Sequence, residues 1–201
     1  MKPMLLLLLA ALASGLPAQE SARGQLDRFA DQLQSMSGRF SQTTLDADGF
    51  ISESSSGEIF FAAPDRFRWR YVDPFPQELV ADGERLWHYD EALEQVTVRP
   101  QPPAEESPLL VLTRPELLDR FYRIEDSGME DVIEFRPLAE EAEFERARLF
   151  FADGLPVALE LNDTFGQLTR LELEGLVRNP ELDSALFRFV PPPGADVLEG
   201  Y

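Results

Sequence analysis

Few residues in this chain could do bond-breaking chemistry. His88 is the sole histidine, flanked by Trp87 and Tyr89, and there is no cysteine. A serine–histidine–carboxylate relay would have to run through His88, yet no Gly-x-Ser-x-Gly nucleophile turn is present. Zinc-thiolate and histidine-rich metal centres are excluded by count. The 37 acids make close carboxylate pairs unavoidable, and none stands out as an acid–base couple of the glycosidase kind. The twelve glycines fall singly at turns, so no phosphate-cradling loop exists. These residues read as those of a binding protein rather than an enzyme. His88 reads as a solvated strand histidine, and neither a metal nor a cofactor is implied.

The pattern that does stand out is aromatic and basic. Phe67, Trp69 and Tyr71 alternate with Arg66, Arg68 and Arg70. A strand sends successive side chains to opposite faces, so the aromatics share one side and the guanidinium groups the other. Two turn signals follow, at Ala81-Asp82-Gly83-Glu84 and Asp90-Glu91, each leading into another apolar-aromatic strand candidate. Such a stretch lays an aromatic wall along a sheet and keeps the outer surface charged. The outward row Arg66, Arg68 and Arg70 reads either as ion-paired surface among the many acids or as a docking face for an acidic partner.

The elements that must position this wall follow from periodicity. Gln19 to Met36 carries Leu26, Phe29, Ala30, Leu33 and Met36 as one helical stripe, with Ser37-Gly38 as a stop. The period then changes to two. Strands are predicted over 39–45, 50–63, 66–72, 78–81, 85–89 and 94–99, joined by Asp-Gly and Asp-Pro turns, which makes an antiparallel meander. PQPPAEESP at 100–108 interrupts it, because proline cannot donate to a ladder. Short helices are predicted over 109–113 and 115–121, as an excursion across the sheet. Strands resume over 122–125, 131–136, 145–151, 156–161 and 168–176, and a short helix near 180–186 precedes a triple proline. The sum is a mainly β (α+β) chain of about eleven antiparallel strands with a few short helices.

Composition sets the setting. Met1-Lys2-Pro3 and the ten-residue apolar run Met4–Ala13 read as a secretory signal peptide spanning residues 1–18. The run is too short to cross a bilayer. Cleavage is expected near Ala18, with Ala13 or Gly15 as alternatives, and residues 19–201 are expected to form a single domain. Without Lys2, 17 arginines face 37 acids, a net charge of about −20. That charge repels phosphates and anionic membrane faces, so nucleic acid is not an expected partner. A disulfide-free exported chain suits a bacterial periplasm.

The segment Pro64–Val98 resembles the outer-membrane lipoprotein carrier family (LolA). The resemblance rests on Pro64, Phe67-x-Trp69, Pro74, Leu79-Val80-x-Asp82-Gly83, Leu86-Trp87-x-Tyr89 and Glu94-Gln95-Val96-Thr97. Ser107-Pro108 before Leu109–Leu112 and the terminal Phe187-x-Phe189-x-Pro191-Pro192-x-Gly194-x-Asp196-Val197 extend it over essentially the whole mature chain. It implies an antiparallel half-barrel whose concave apolar face is covered by helices, and a periplasmic, non-enzymatic chaperone. Such a carrier shields lipoprotein acyl chains between an inner-membrane releasing transporter and an outer-membrane receptor; a monomer is expected. On this reading Phe67, Trp69, Leu79 and Trp87 line the lipid cavity, with Leu109, Leu110 and Leu112 from the cover. The family often has an arginine before the proline matching Pro64, where it pins the helical lid closed; here that position is Ala63. Lid closure is therefore expected to rest on apolar packing or on a donor from another strand, and Ala63→Arg to tighten cargo retention. A carrier of another amphiphile, or an interaction module without a lipid load, remains the alternative.

Overall fold

The computed structural model describes residues 21–101, 113–125, 127–139, 142 and 144–200. Twelve strands form one sheet: β1 Ser35–Leu45, β2 Ile51–Ala62, β3 Arg66–Asp73, β4 Gln77–Ala81, β5 Arg85–Asp90, β6 Gln95–Pro100, β7 Tyr122–Glu125, β8 Val132–Pro137, β9 Phe144–Ala152, β10 Leu155–Asp163, β11 Leu168–Arg178 and β12 Asp196–Glu199. Their order is β12-β6-β5-β4-β3-β2-β1-β11-β10-β9-β8-β7, with no closing pair, so the sheet is an open half-barrel. Neighbours are antiparallel except β12, which runs parallel to β6. β6 and β7 lie toward opposite edges of the sheet, and most of the predicted excursion between them, residues 102–112, lies outside the described residues.

Helix α1 (Ala22–Ala30) is capped by Ser21, whose side chain accepts from the Gly24 N–H. It stops well before Met36, the predicted end. Gln32 takes a left-handed φ of 53° and Leu33 N–H turns back to Ala30 C=O, so the last apolar members of the helical stripe pass into the turn and β1. Helix α2 (Glu116–Phe121) begins after Pro115, as predicted. The twelfth strand was missed in the sequence because Pro191–Pro193 precede it; a short parallel strand on the sheet edge has no periodicity long enough to read.

The two helices fill part of the concave side. Leu26 and Phe29 of α1 and Leu117 and Leu118 of α2 are fully buried against Phe135, Leu149 and Leu159 of β8, β9 and β10. On the convex side, the 3-10 turn Ser184–Phe187 and the chain after it lie against β3 and β5, where Phe187 is buried.

Gly57 marks the tightest approach in the sheet. A Cβ there would sit 1.9 Å from the Arg70 carbonyl oxygen and 2.9 Å from the Phe40 ring. Gly57→Ala should therefore force β2 and β3 apart and lower stability by about 1–3 kcal/mol. Urea unfolding of the variant at an unchanged midpoint would show that the strands absorb the methyl group freely.

Candidate functional site

Beside the helix-filled core, the concave face opens into a cavity of about 300 Å³, lined by Met36, Ile59, Phe61, Phe67, Trp69, Tyr71, Leu79, Leu159, Leu161 and Leu171, with Gln42 and Thr169. Among the described residues no charged one lines it. Its walls come from five strands at the centre of the sheet and from β4, and the pairings put the wall residues in register. Ile59 faces Trp69, Phe61 faces Phe67, and Trp69 faces Leu79. Phe40, Trp69 and Tyr71 form one ring cluster, with centroids 4.5 Å apart for Phe40–Trp69 and 5.1 Å for Phe40–Tyr71. Burial pushes the Tyr71 hydroxyl above its ordinary pKa, and the Glu53 charge adds to this; the Trp69 N–H partly offsets both.

Three of the residues predicted for the cavity are therefore in its wall: Phe67, Trp69 and Leu79. Leu109, Leu110 and Leu112 lie outside the described residues. Trp87 is a correction. It pairs with Val80, which pairs with Arg68, so it stands on the convex face. There its ring lies 5.7 Å from Phe189, and its indole N–H donates to Asp82 Oδ2 at 3.0 Å. Burial works against the Asp82 charge, but the Trp87 N–H and the backbone N–H groups of Arg85 and Glu84 outweigh it, holding that carboxyl below its ordinary range. The Asp82-Gly83…Trp87 motif is thus a hairpin staple.

The arginine row is engaged by the chain itself. Arg66 lies over the Phe187 ring at 5.4 Å, and Arg68 donates to Leu186 C=O at 3.1 Å and pairs with Glu78. Arg70 pairs with Glu58 and Glu78 at 3.3 and 3.6 Å. Two of the three residues proposed for docking thereby hold the C-terminal segment. His88 falls on the concave face opposite Leu79, exposed, 3.2 Å from Gln77. Among the described residues no cluster of His, Asp and Glu is arranged to hold a metal ion.

Ala63 packs against the core cluster, and its N–H donates to Gln34 C=O. A polar tie joins the helices elsewhere. Arg23 of α1 forks onto Asp119 of α2 with distances of 2.7 and 2.9 Å, and also bonds Asp27. Its hydrogen bond from Arg23 is the main cause holding the Asp119 carboxyl below its ordinary range. Sequence reading missed this pair because it joins positions 96 residues apart. The unforeseen wall residues on β1, β2, β10 and β11 carry ordinary two-residue alternation that any buried strand shows.

An open antiparallel half-barrel with an uncharged apolar cavity beside two helices is a frame for binding apolar chains. The chain belongs to the outer membrane lipoprotein carrier protein LolA family, whose model matches residues 31–190. It is 44% identical over 188 residues to the outer-membrane lipoprotein carrier protein of Alkalilimnicola ehrlichii, covering 92% of this chain and 86% of that protein. The carrier of Halorhodospira halophila is 40% identical over 200 residues, 99% of this chain and 96% of the other. Among solved structures, an uncharacterized conserved protein from Thermus thermophilus superposes with a TM-score of 0.55 at 13% identity, covering 89% of this chain and 97% of that one. That likeness concerns the fold alone.

The Arg23–Asp119 tie has a signed pH dependence. Asp119 is depressed in the folded chain, so its contribution is present above the ordinary carboxylate pKa of about 4 and is lost as pH falls through the lowered value. Both side chains are partly exposed, so Asp119→Ala should change global stability by less than about 1 kcal/mol. Protection of the amides of residues 116–121, relative to their intrinsic exchange rates, should nonetheless fall in the variant, and in the wild type below that pH. Equal exchange in both proteins would show that α2 is held by Leu117 and Leu118 alone.

Proposed function

We propose that this chain is a periplasmic carrier that shields the acyl chains of lipoproteins and passes them from an inner-membrane releasing transporter to an outer-membrane receptor. The observation that carries the reading is the uncharged apolar cavity in the half-barrel of a LolA-family chain. Each acyl methylene kept from water is worth about 0.8 kcal/mol, so a lipidated protein cannot cross an aqueous compartment uncovered. The cargo site is the wall of Phe67, Trp69 and Leu79 with Met36, Ile59 and Phe61. Binding and release need no bond-breaking step.

The volume constrains how loading works. A cavity of about 300 Å³ is at the lower end of ligand pockets, which run to about 1,000 Å³. A lipid with several acyl chains must widen it. The sheet side is held by a continuous backbone ladder, so widening falls to the helical side. An exported location follows from this task and agrees with the signal-like segment 1–18. Among the described residues no helix is long and apolar enough to cross a membrane.

The two tryptophans separate binding from folding. Trp69→Ala should weaken binding of a synthetic diacylglyceryl lipopeptide by about tenfold or more. Trp87→Ala should leave that affinity unchanged while lowering stability by about 1–3 kcal/mol. Equal losses of affinity in both variants would count against the concave face as the cargo site. Depletion of the protein in its own cell should leave outer-membrane lipoproteins accumulating in the inner membrane. Native mass spectrometry should find triacylated protein on the purified carrier. Normal lipoprotein sorting after depletion would sink the carrier reading, and a co-purified glycolipid alone would redirect it to another amphiphile.

A further inference from the structure

The cavity wall is not uniform along the strands. Strand pairing fixes which residues share the concave face, and these grade from apolar at one end to mixed at the other. At the end where β2 passes into β3, the wall is Met36, Phe61 and Phe67. At the end where β1 turns into β2 it is mixed, Gln42, Tyr71 and Thr169 alternating with Leu161 and Leu171; behind that lining Ser55 pairs directly with Gln42, and Glu53 with Thr44. The mixed end carries donors that the protein leaves unused. Tyr71 Oη donates to Gln42 Oε1 at 3.2 Å, and no partner is found among the described residues for the Gln42 amide nitrogen. Ser55 is 8% exposed, and its hydroxyl is buried with no hydrogen-bond partner. A buried hydroxyl without a partner is destabilising, and a ligand oxygen that reaches it supplies the missing acceptor.

Among the described residues no cation lines this pole, and an anion, Glu53, stands on its rim close enough to raise the Tyr71 pKa. Neutral donors beside a fixed negative charge suit an uncharged carbonyl acceptor and repel a carboxylate or phosphate. We infer that Gln42 and Ser55 form a headgroup subsite that accepts the ester carbonyls of a neutral acylglyceryl unit, and that Glu53 makes the same cavity reject fatty acids and phospholipids. The acyl tails then run toward Phe61 and Phe67. The selectivity has a physical use: a carrier moving between two bilayers meets a large excess of anionic phospholipid with identical tails. Tail burial cannot distinguish these ligands, so discrimination has to come from the head.

This inference rests on the carrier reading, and its test is arranged to fail separately. The mature protein is loaded with a neutral fluorescent alkyl probe. The probe is displaced at pH 7.5 by a dipalmitoylglyceryl-cysteine peptide, by palmitate and by dispersed dipalmitoyl phosphatidylglycerol. The lipopeptide should bind at least about tenfold more tightly than either anion. Gln42→Leu should weaken lipopeptide binding about three- to tenfold, the worth of one or two neutral hydrogen bonds, while probe affinity is retained. Glu53→Gln, an exposed position, should raise palmitate affinity severalfold with folding untouched. Tight lipopeptide binding that is indifferent to Gln42→Leu, with palmitate indifferent to Glu53→Gln, overturns the subsite and leaves the carrier reading standing. Failure of the wild type to bind the lipopeptide at all overturns both.

Discussion

The concave face has to stay apolar and stay unfilled at once, and the rest of the structure answers to that demand. An apolar wall left in water costs about 25 cal/mol per Å², so collapse onto the cavity is the default outcome. A continuous ladder opposes it. Strand β1 pairs along its length with both β2 and β11, which fixes the wall on either side of the cavity. Phe40, Trp69 and Tyr71 then brace one another as rings, Trp69 and Tyr71 lying 6.3 Å apart. Rings have few rotamers and cannot fold inward to plug the space as long aliphatic chains would. Gly57 permits this bracing, because any larger residue would collide with Phe40.

The convex face solves the opposite problem. Val80, Trp87, Val96 and Val98 point outward and would be an exposed patch on a long sheet. The C-terminal segment covers them: Phe189 lies against Trp87 and Tyr89, and β12 extends the edge at β6. Arg66 and Arg68 hold this strap from the strand whose other face is the cavity wall. Further cross-strand pairs, such as Arg148–Glu134 and Arg170–Glu160, spend more of the arginines within the sheet. With many of its cations paired locally, the surface of a chain carrying net charge −19 is left predominantly acidic.

Much of this was legible in the sequence, and the failures are informative. Alternation in β3 placed Phe67 and Trp69 correctly, because parity within one strand needs no partner. Parity between strands depends on the loop. In the β3–β4 pairing odd residues meet odd ones, Trp69 with Leu79. In the β4–β5 hairpin odd meets even, Leu79 with His88 and Val80 with Trp87. Trp87 was assigned to the cavity on the family resemblance, and the register of the second turn puts it on the other face. The short helix α1 exposed a different limit, since Leu33 and Met36 fit a helical stripe but are buried from a turn and a strand. The Arg23–Asp119 tie and the pairing of Gln42 with Ser55 depend on the assembled sheet and left no local signal.

The position of Ala63 shows how these parts divide the work of holding and letting go. The family resemblance expects an arginine there as a pin between sheet and lid. Ala63 instead adds only apolar contact to the core. Among the described residues, an ion pair instead joins one helix to the other. A sheet-to-helix pin must break whenever the cover lifts from the wall. A helix-to-helix tie can persist while the two move together, provided α1 yields. But α1 is itself fastened to the far half of the sheet, through the Ala22 N–H to Glu130 C=O and the Gln25 amide to Asp131. The tie therefore transmits the rigidity of the filled half of the barrel to α2. Among the described residues, the polar restraint on α2 thus runs through α1 and the core beneath it.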